Sequence, residues 1–531
     1  MVKIVKPKVE ILDYGPAIRD KKGKVVVTPD QIVYGGALNT YKDVSAMQEL
    51  MQTIKEDSTI EEKIANKVTS IAARGHASMA TTPIVWFTVS NSSKLVDSIF
   101  TGAKFSSSLM PSSRRVPIAK ENIVIPKGIK NKGKEQEKIY NQAAKKNIET
   151  YEIVQERGVS KQEASKIVHY GHSGGGLFQM PLETIVYFKN LIDSDFENAI
   201  PEEGKDIILQ LDSWIRKKSG MERIYLGKKR APRTGCINPN IFTFRRNQAQ
   251  KLIEEGRLGL EPILLNKYVE PNPSRDYRIN SWLKKREEIF SDPEKIKTQG
   301  DKLLPELYEI ISDYNDSFLF QVASRIPWRV WGEVKRHRTM PQTTESVYNA
   351  VDRALKVVND SELNNSEVDA ESLIKAYSPI LDLPIPVQRN EENLELWINT
   401  ADNSFKSYEN LVKSGVLKSD AITCIIRGIN LGNIKIYDLY NSTIGYSSLR
   451  LCATAETKMR ATTFAEMELI KSNLDNDYLK ELIGSKCEYV GYCPEMQTCG
   501  HLQQDFIPFY TEDLHKQIHK NKMKKILKEM V

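Results

Sequence analysis

The segment YEIVQERGVSKQEA, residues 151–164, returns as YENLVKSGVLKSDA, residues 408–421. Tyr, Glu, Gly, Val, Lys and Ala recur at the same spacing, and Asp420 stands opposite Glu163. Further out, VWFTVSNSS from Val85 matches FLFQVASRI from Phe318, each with the period-two aromatic pattern of a strand. At the two starts, KVEILDYGP from Lys8 resembles PILLNKYVEP from Pro262. Each is a short apolar run ended by Pro, the pattern of a strand and a turn. Three pairs in one order predict a tandem chain cut near Leu258, with copies at 1–257 and 258–531. The offset is 233 at the strands and 257 at the later pair, so the second copy carries 24 extra residues (257 − 233). The acidic segment 349–399, with Pro379, Pro384 and Pro386, is the place for them.

Each half has the same coarse order: strand, helices, second strand, polar turn, helices. Expected helices include Glu61–Ala73, Glu135–Glu156, Asn403–Ser414 and Ser448–Lys471, and the basic stretch 227–235 reads as a loop. The predicted class is α+β: two tandem α/β-type domains with helical insertions. With 531 residues, 40% of them apolar, the chain has the means to bury large cores. Its net charge of +7 is spread thinly, so nucleic acid is not an expected partner. Six Cys make no disulfide framework. The start, MVKIVKPK, lacks the apolar core of a signal peptide, and no run approaches the ~18 apolar residues of a membrane span. The expectation is a soluble, cytoplasmic protein with no membrane partner.

Chemistry concentrates in WGEVKRHRTMPQTTESVY, residues 331–348. Lys335, Arg336, His337 and Arg338 are consecutive, and adjacent cations are costly to bury unless an anion neutralises them. Arg offers a planar fork that suits phosphate or carboxylate. Thr343, Thr344 and Ser346 add neutral donors. By composition the run suits a nucleotide-phosphate pocket or a solvated basic turn.

The same residues resemble the flavin-dependent thymidylate synthase family, whose motif reads R-H-R-x-x-S-x-N-E-x-S-x-R-Y. Arg336, His337 and Arg338 are in place, with Ser346 at the second Ser. Gly75-His76-Ala77-Ser78 resembles the family's G-H-x-S element. MRATTFAEMEL from Met459 resembles its late L-R-x-x-x-x-A-Q-x-E-I element, through Arg460, Ala465 and Glu468, with Glu466 in place of Gln. Departures are specific. Pro341 replaces the first Ser, Thr343 and Thr344 replace Asn and Glu, Tyr348 replaces the final Arg, and Glu333 replaces a Gln. In the first half Ala103-Lys104-Phe105 lies opposite R-H-R, yet Ser108, Ser113 and Arg115 hold the two Ser positions and the final Arg.

The resemblance implies reductive methylation of dUMP to dTMP, with FAD as cofactor and methylenetetrahydrofolate and NADPH as cosubstrates. It implies Arg336, His337 and Arg338 for FAD. His337 and Arg460 are the catalytic candidates, and Ser113, Arg115, Ser346 and Arg460 are the contacts to dUMP or a related pyrimidine nucleotide. Family members are homotetramers with sites shared between subunits. A homodimer of tandems would then form a pseudo-tetramer, each half supplying what the other lacks. Two alternatives stand beside this: an inactive nucleotide- or nucleic-acid-binding pseudoenzyme, and a flavin and folate methyltransferase acting on another pyrimidine.

Other candidates carry weaker patterns. Gly174-Gly175-Gly176 lacks the dinucleotide fingerprint spacing and reads as a flexible turn. His169 and His172 have no Cys or acidic partner at metal-ligand spacing. Cys487, Cys493, Cys499 and His501 could bind zinc, but their spacing lacks the tight C-x2-C loop, and no metal site is assigned. Cys236, Cys424 and Cys452 read as buried small residues. The basic tail 515–531 has Ile518, Met523, Ile526 and Leu527 on roughly one helical face.

Overall fold

The computed structural model describes residues 3–39, 59–111, 118–230, 240–360 and 368–493, with isolated positions between 45 and 50 and between 495 and 502. It divides into two compact units, residues 1–261 with 323–435, and residues 262–322 with 436–531. The main strands are β1 (Lys8–Gly15), β2 (Ile84–Ser93), β3 (Ser107–Leu109), β4 (Ser173–Pro181), β5 (Ile263–Val269), β6 (Phe318–Pro327), β7 (Gln342–Thr344) and β8 (Asn430–Asp438). One sheet has the antiparallel order β1-β2-β4-β3. The other has the order β7-β8-β6-β5. The helices that bear on the site are α1 (Leu95–Phe100), α2 (Lys134–Glu156), α3 (Pro273–Phe290), α4 (Pro293–Tyr314), α5 (Trp328–Val334), α6 (Val347–Val358), α7 (Glu391–Lys413) and α8 (Thr457–Ser472). The mixed helix-and-sheet class is as the sequence predicts.

In the first unit, alternation on β2 and β4 turns Phe87 and Phe178 to the same face, where their rings stack 5.4 Å apart. Phe100 of α1 packs edge-on to Phe178 and to Phe188. All four rings are buried. Each such burial contributes roughly 1.5–3 kcal/mol.

Helix α2 forms because Tyr140, Ala143, Ala144, Asn147, Ile148, Tyr151 and Val154 recur at three- and four-residue spacing and are buried. Glu135 and Glu137 sit in its first turn, where the helix dipole favours negative charge. Gly158, at φ +89°, ends the rise beyond it, and Gly415, at φ +85°, does the same beyond α7. The two helices pack through buried polar pairs. Asn147 Nδ2 donates to Ser404 Oγ at 3.0 Å, and the Thr150 and Thr400 hydroxyls meet at 2.7 Å.

The segments that follow these helices cross each other. Gly171 N donates to Thr423 O at 3.1 Å, and Gly428 N donates to Lys166 O at 2.7 Å. His169 and Ile426 form an antiparallel bridge. Donors, acceptors and bridged residues are each 257 apart (428 − 171, 423 − 166, 426 − 169). The outward connections match as well. Val124 N donates to Gly171 O at 3.0 Å, and Asp382 N to Gly428 O at 2.8 Å.

In the second unit, Trp282 Nε1 on α3 donates to Leu303 O on α4 at 2.9 Å. The buried Arg275 donates to Ser317 Oγ at 3.0 Å. Tyr437 donates its hydroxyl to Glu466 on α8 at 2.5 Å.

Several local expectations are corrected. Gly174–Gly176 is no flexible turn: it lies in β4. A Cβ at Gly174 or Gly175 would overlap the carbonyl of Ser93 or Val89, so the glycines permit close strand approach. The helix expected at Asn403–Ser414 begins at Glu391, because the Asn390 side chain accepts from Asn393 N at 2.8 Å. The helix expected over Ser448–Lys471 is broken into Tyr446–Arg450 and α8. Glu456 caps α8 by accepting from Met459 N at 2.7 Å. Residues 227–230, read as loop, end the helix Glu222–Arg230. Cys424 is buried but Cys452 is half-buried, while Cys236 and the tail 515–531 lie outside the described residues.

The crossing tolerates little added volume. A Cβ at Gly171 would overlap the Tyr140 hydroxyl, which donates to Val124 O at 2.7 Å. Gly171→Ala is expected to lower unfolding free energy by about 2–3 kcal/mol in denaturant titrations. Gly256→Ala, at φ +69° with open space around it, is expected to cost only about 1 kcal/mol.

Candidate functional site

Strand β6 ends at Pro327, and α5 carries the chain to the basic turn. Trp328 is buried, donates from Nε1 to Ser98 Oγ at 3.0 Å, and lies over Tyr170 with centroids 4.0 Å apart. These contacts fix the start of α5 against α1. The end of α5 is held by Lys335, whose ammonium donates to Asp97 O and lies 4.7 Å from the Trp331 ring centroid. At the turn, Arg336 N bonds Glu333 O at 3.3 Å and His337 N bonds Val334 O at 3.0 Å. Arg338 donates from Nε to Ala103 O at 2.8 Å and from Nη2 to Thr101 O at 3.3 Å. The basic turn is therefore seated on backbone carbonyls of residues 97–103. Arg336 is exposed, and His337 and Arg338 are half-buried.

Other cations gather here. Lys94 pairs with Asp97 at 2.8 Å and donates to Pro111 O at 2.7 Å. Arg427, fully buried, donates from Nη2 to His172 Nε2 at 2.6 Å, and its guanidinium lies 5.4 Å from the Tyr170 centroid. Arg329 reaches Glu333 at 3.8 Å, while its Nε and Nη1, and Nε of Arg427, have no hydrogen-bond partner among the described residues. Among the described residues, Asp97 pairs with Lys94 and Glu333 lies near Arg329, while Lys335, Arg336, Arg338 and Arg427 add further positive charge to the same region.

The protonation equilibria register this excess. Burial pushes the Lys335 ammonium well below its ordinary value, Asp97 opposes the shift, and Arg336 and Arg338 deepen it. Burial also lowers Lys94, again against Asp97, with Arg427 and Arg336 adding repulsion. Arg427 is lowered to about 10, mainly by burial. Burial and then Arg427 hold His172 well below its usual value and bring His169 down to about 3. Both imidazoles are therefore neutral at pH 7. A site of this kind attracts an anion, since an anion repays the desolvation of several cations at once.

The remaining candidates fall elsewhere. Ser346 is buried and caps α6: its Oγ accepts from Tyr348 N at 3.2 Å and donates to Thr243 O. Tyr348, where the family motif has Arg, is buried and donates its hydroxyl to Ala199 O at 2.5 Å. Arg460 is exposed on α8 in the second unit. Ser113 and Arg115 lie outside the described residues. Among the described residues no three His, Cys, Asp or Glu side chains are arranged to hold a metal ion. No described helix is long and apolar enough to cross a membrane. Arg427, Lys94 and Tyr170 belong to no motif. The 257-residue offset sets Tyr170 against Arg427, and nothing in the sequence singles out Lys94.

Residues 25–173 match the family described as thymidylate synthase complementing protein. The matched segment includes α1 and α2 but not the basic turn. No curated protein matches the chain. Among solved structures, the chain is similar to a UMP/dUMP methylase, PolB, from Streptomyces cacaoi, bound with 5-Br dUMP. The identity is 10% and the TM-score 0.33, over 43% of this chain and 99% of the other. It is also similar to the flavin-dependent thymidylate synthase ThyX from Helicobacter pylori, complexed with FAD and dUMP. There the identity is 11% and the TM-score 0.28, over 42% and 97%.

Neutral, buried His169 gives a pH test. Its folded-state pKa lies below the unfolded value of 6.5, so its stabilising contribution is full above 6.5 and is lost as pH falls toward 3. His169→Gln keeps a donor for Gly171 O, which His169 Nε2 meets at 3.1 Å. Between pH 7 and pH 5, wild type is expected to lose about 2 kcal/mol relative to this variant in urea titrations.

Proposed function

We propose that the chain is a tandem flavin-dependent thymidylate synthase-like methyltransferase, with copies at 1–257 and 258–531. In this reading it converts dUMP to dTMP, with methylenetetrahydrofolate as carbon donor and NADPH as reductant. The observation that carries it is the excess of cations around residues 335–338. The family match over 25–173 supports the reaction class. The paired bonds 257 residues apart support the tandem arrangement.

The donor set fits an anionic dinucleotide: the exposed Arg336 offers a guanidinium fork, and Arg329 and Arg427 have unsatisfied N–H groups nearby. FAD, when bound, supplies the hydride relay. Arg336, His337 and Arg338 would hold it. The carbonyls of Thr101 and Ala103 accept from the Arg338 guanidinium and orient it at the turn. His337 would offer an N–H to developing negative charge. Arg460 would steady the uracil ring as charge builds on it, and Ser113, Arg115 and Ser346 would bind the substrate phosphate. No protein nucleophile enters the scheme. A homodimer in the cytoplasm, mimicking a tetramer, completes the proposal.

One observation favours a second reading, a nucleotide-binding protein without turnover. Ser346 already uses its hydroxyl to cap α6 and to bond Thr243, so substrate contact requires that cap to open.

The visible absorption of the purified protein with added FAD is expected to show bound flavin. Arg336→Ala with Arg338→Ala is expected to lower flavin content at least about tenfold, the scale of two lost charge-assisted contacts. Unchanged flavin in that double variant removes 336–338 from the site. Arg460→Ala is expected to retain flavin and lower dTMP formation by about a hundredfold or more. Full flavin binding with no turnover on a panel of pyrimidine nucleotides supports the second reading.

A further inference from the structure

Within the first unit, β2 and β4 part at a bulge. The register jumps between Val89↔Gly176 and Ser92↔Gly174, leaving Ser90 and Asn91 opposite Gly175. Asn91 adopts φ +54°, and its carbonyl accepts from Lys6 N at 3.0 Å. A cavity of about 290 Å³ opens at this bulge, lined by Lys3, Ser90, Asn91, Ser92, Ser173 and the backbone of residues 174–176, among others. Ser92 is 1% exposed, and its hydroxyl has no hydrogen-bond partner among the described residues. Among the described residues the lining includes three serines, one asparagine and one lysine, and no Asp or Glu.

The second half treats the aligned positions differently. Arg325 stands at the position of Ser92, and Asn430, Leu431, Gly432 and Asn433 at those of residues 173–176. Arg325 donates to Leu258 O at 2.6 Å and Pro379 O at 2.7 Å. Glu345 accepts from Gly432 N and from Arg353, both at 2.9 Å. Protein groups close that face. In the first half, Ser and Gly leave the space open.

We infer that the bulge cavity is a binding site for a small phosphate monoester, distinct from the basic turn at 336–338. Hydroxyls, an amide and a lysine without opposing carboxylates suit phosphate oxygens. The volume lies at the lower edge of the roughly 300–1,000 Å³ of ligand pockets, which suits a pentose or nucleoside monophosphate and not a dinucleotide. The comparison between halves rests on the tandem reading proposed above; the cavity and its lining do not.

The test is calorimetric titration of the full chain with inorganic phosphate, ribose 5-phosphate and dUMP. Saturable binding of ribose 5-phosphate or dUMP is expected, about tenfold weaker in Lys3→Ala, whose exposed side chain leaves the fold intact. Ser92→Arg, which installs the residue of the second half, is expected to abolish binding. Flavin content is expected to stay unchanged in both variants. Only binding weakened by Lys3→Ala is read as this site. Such binding with equal affinity for ribose 5-phosphate and dUMP assigns it to a sugar phosphate, and such binding selective for dUMP assigns it to a nucleotide. Binding of dUMP that is indifferent to Lys3→Ala belongs to the site of the proposed function and overturns the inference. No saturable binding with any probe, or affinity unchanged in Lys3→Ala, overturns the inference. Should Ser92→Arg fail to fold, Lys3→Ala decides. Loss of flavin binding in wild type with phosphate binding retained would overturn the proposed function and leave this site standing.

Discussion

The crossing of residues 166–172 with 423–429 is the constraint on which the first unit depends. Two backbone bonds, Gly171 to Thr423 and Gly428 to Lys166, tie segments more than 250 residues apart. Tyr140 leaves no room for a side chain at Gly171, and the Lys166 carbonyl and Leu381 make the space at Gly428 tight. Helices α2 and α7 lead into the crossing, and their buried polar pairs fix their register more narrowly than apolar contacts would. Once that register is set, Tyr170 lies under Trp328, and α5 is aimed so that the basic turn meets the end of α1.

Burial of charge gives this arrangement its chemical character. A cation held away from water is costly, and several together are more so. Lys335 and Lys94 respond through lowered pKa values, and Arg427 donates to the neutral imidazole of His172. Bonds to carbonyls orient Lys335 and Arg338. A buried cluster of cations favours an anion, which supports the proposed site. That is the physical content behind a phosphate-bearing ligand.

Much of the fold was legible in sequence. Apolar spacing located β2, β6 and α2 to within a residue or so, because period and length suffice for regular elements. Caps were harder to read. Asn390 starts α7 well before the expected point, and Glu456 interrupts what reads as one helix. The triple glycine read as a turn, because sequence shows the missing side chains but not the neighbouring carbonyls that require their absence.

For the site, the residue pattern alone determined that cations cluster at 335–338 and that Arg336, His337 and Arg338 stand in a family-like order. Local sequence carries that information because the three are adjacent. Only the tertiary structure decided that the turn rests on carbonyls 97–103, that Arg427, Lys94 and Tyr170 join it, and that Ser346 serves as a helix cap. Those outcomes depend on contacts between residues as many as 257 positions apart, and such contacts exist only after burial has chosen which polar groups must find partners.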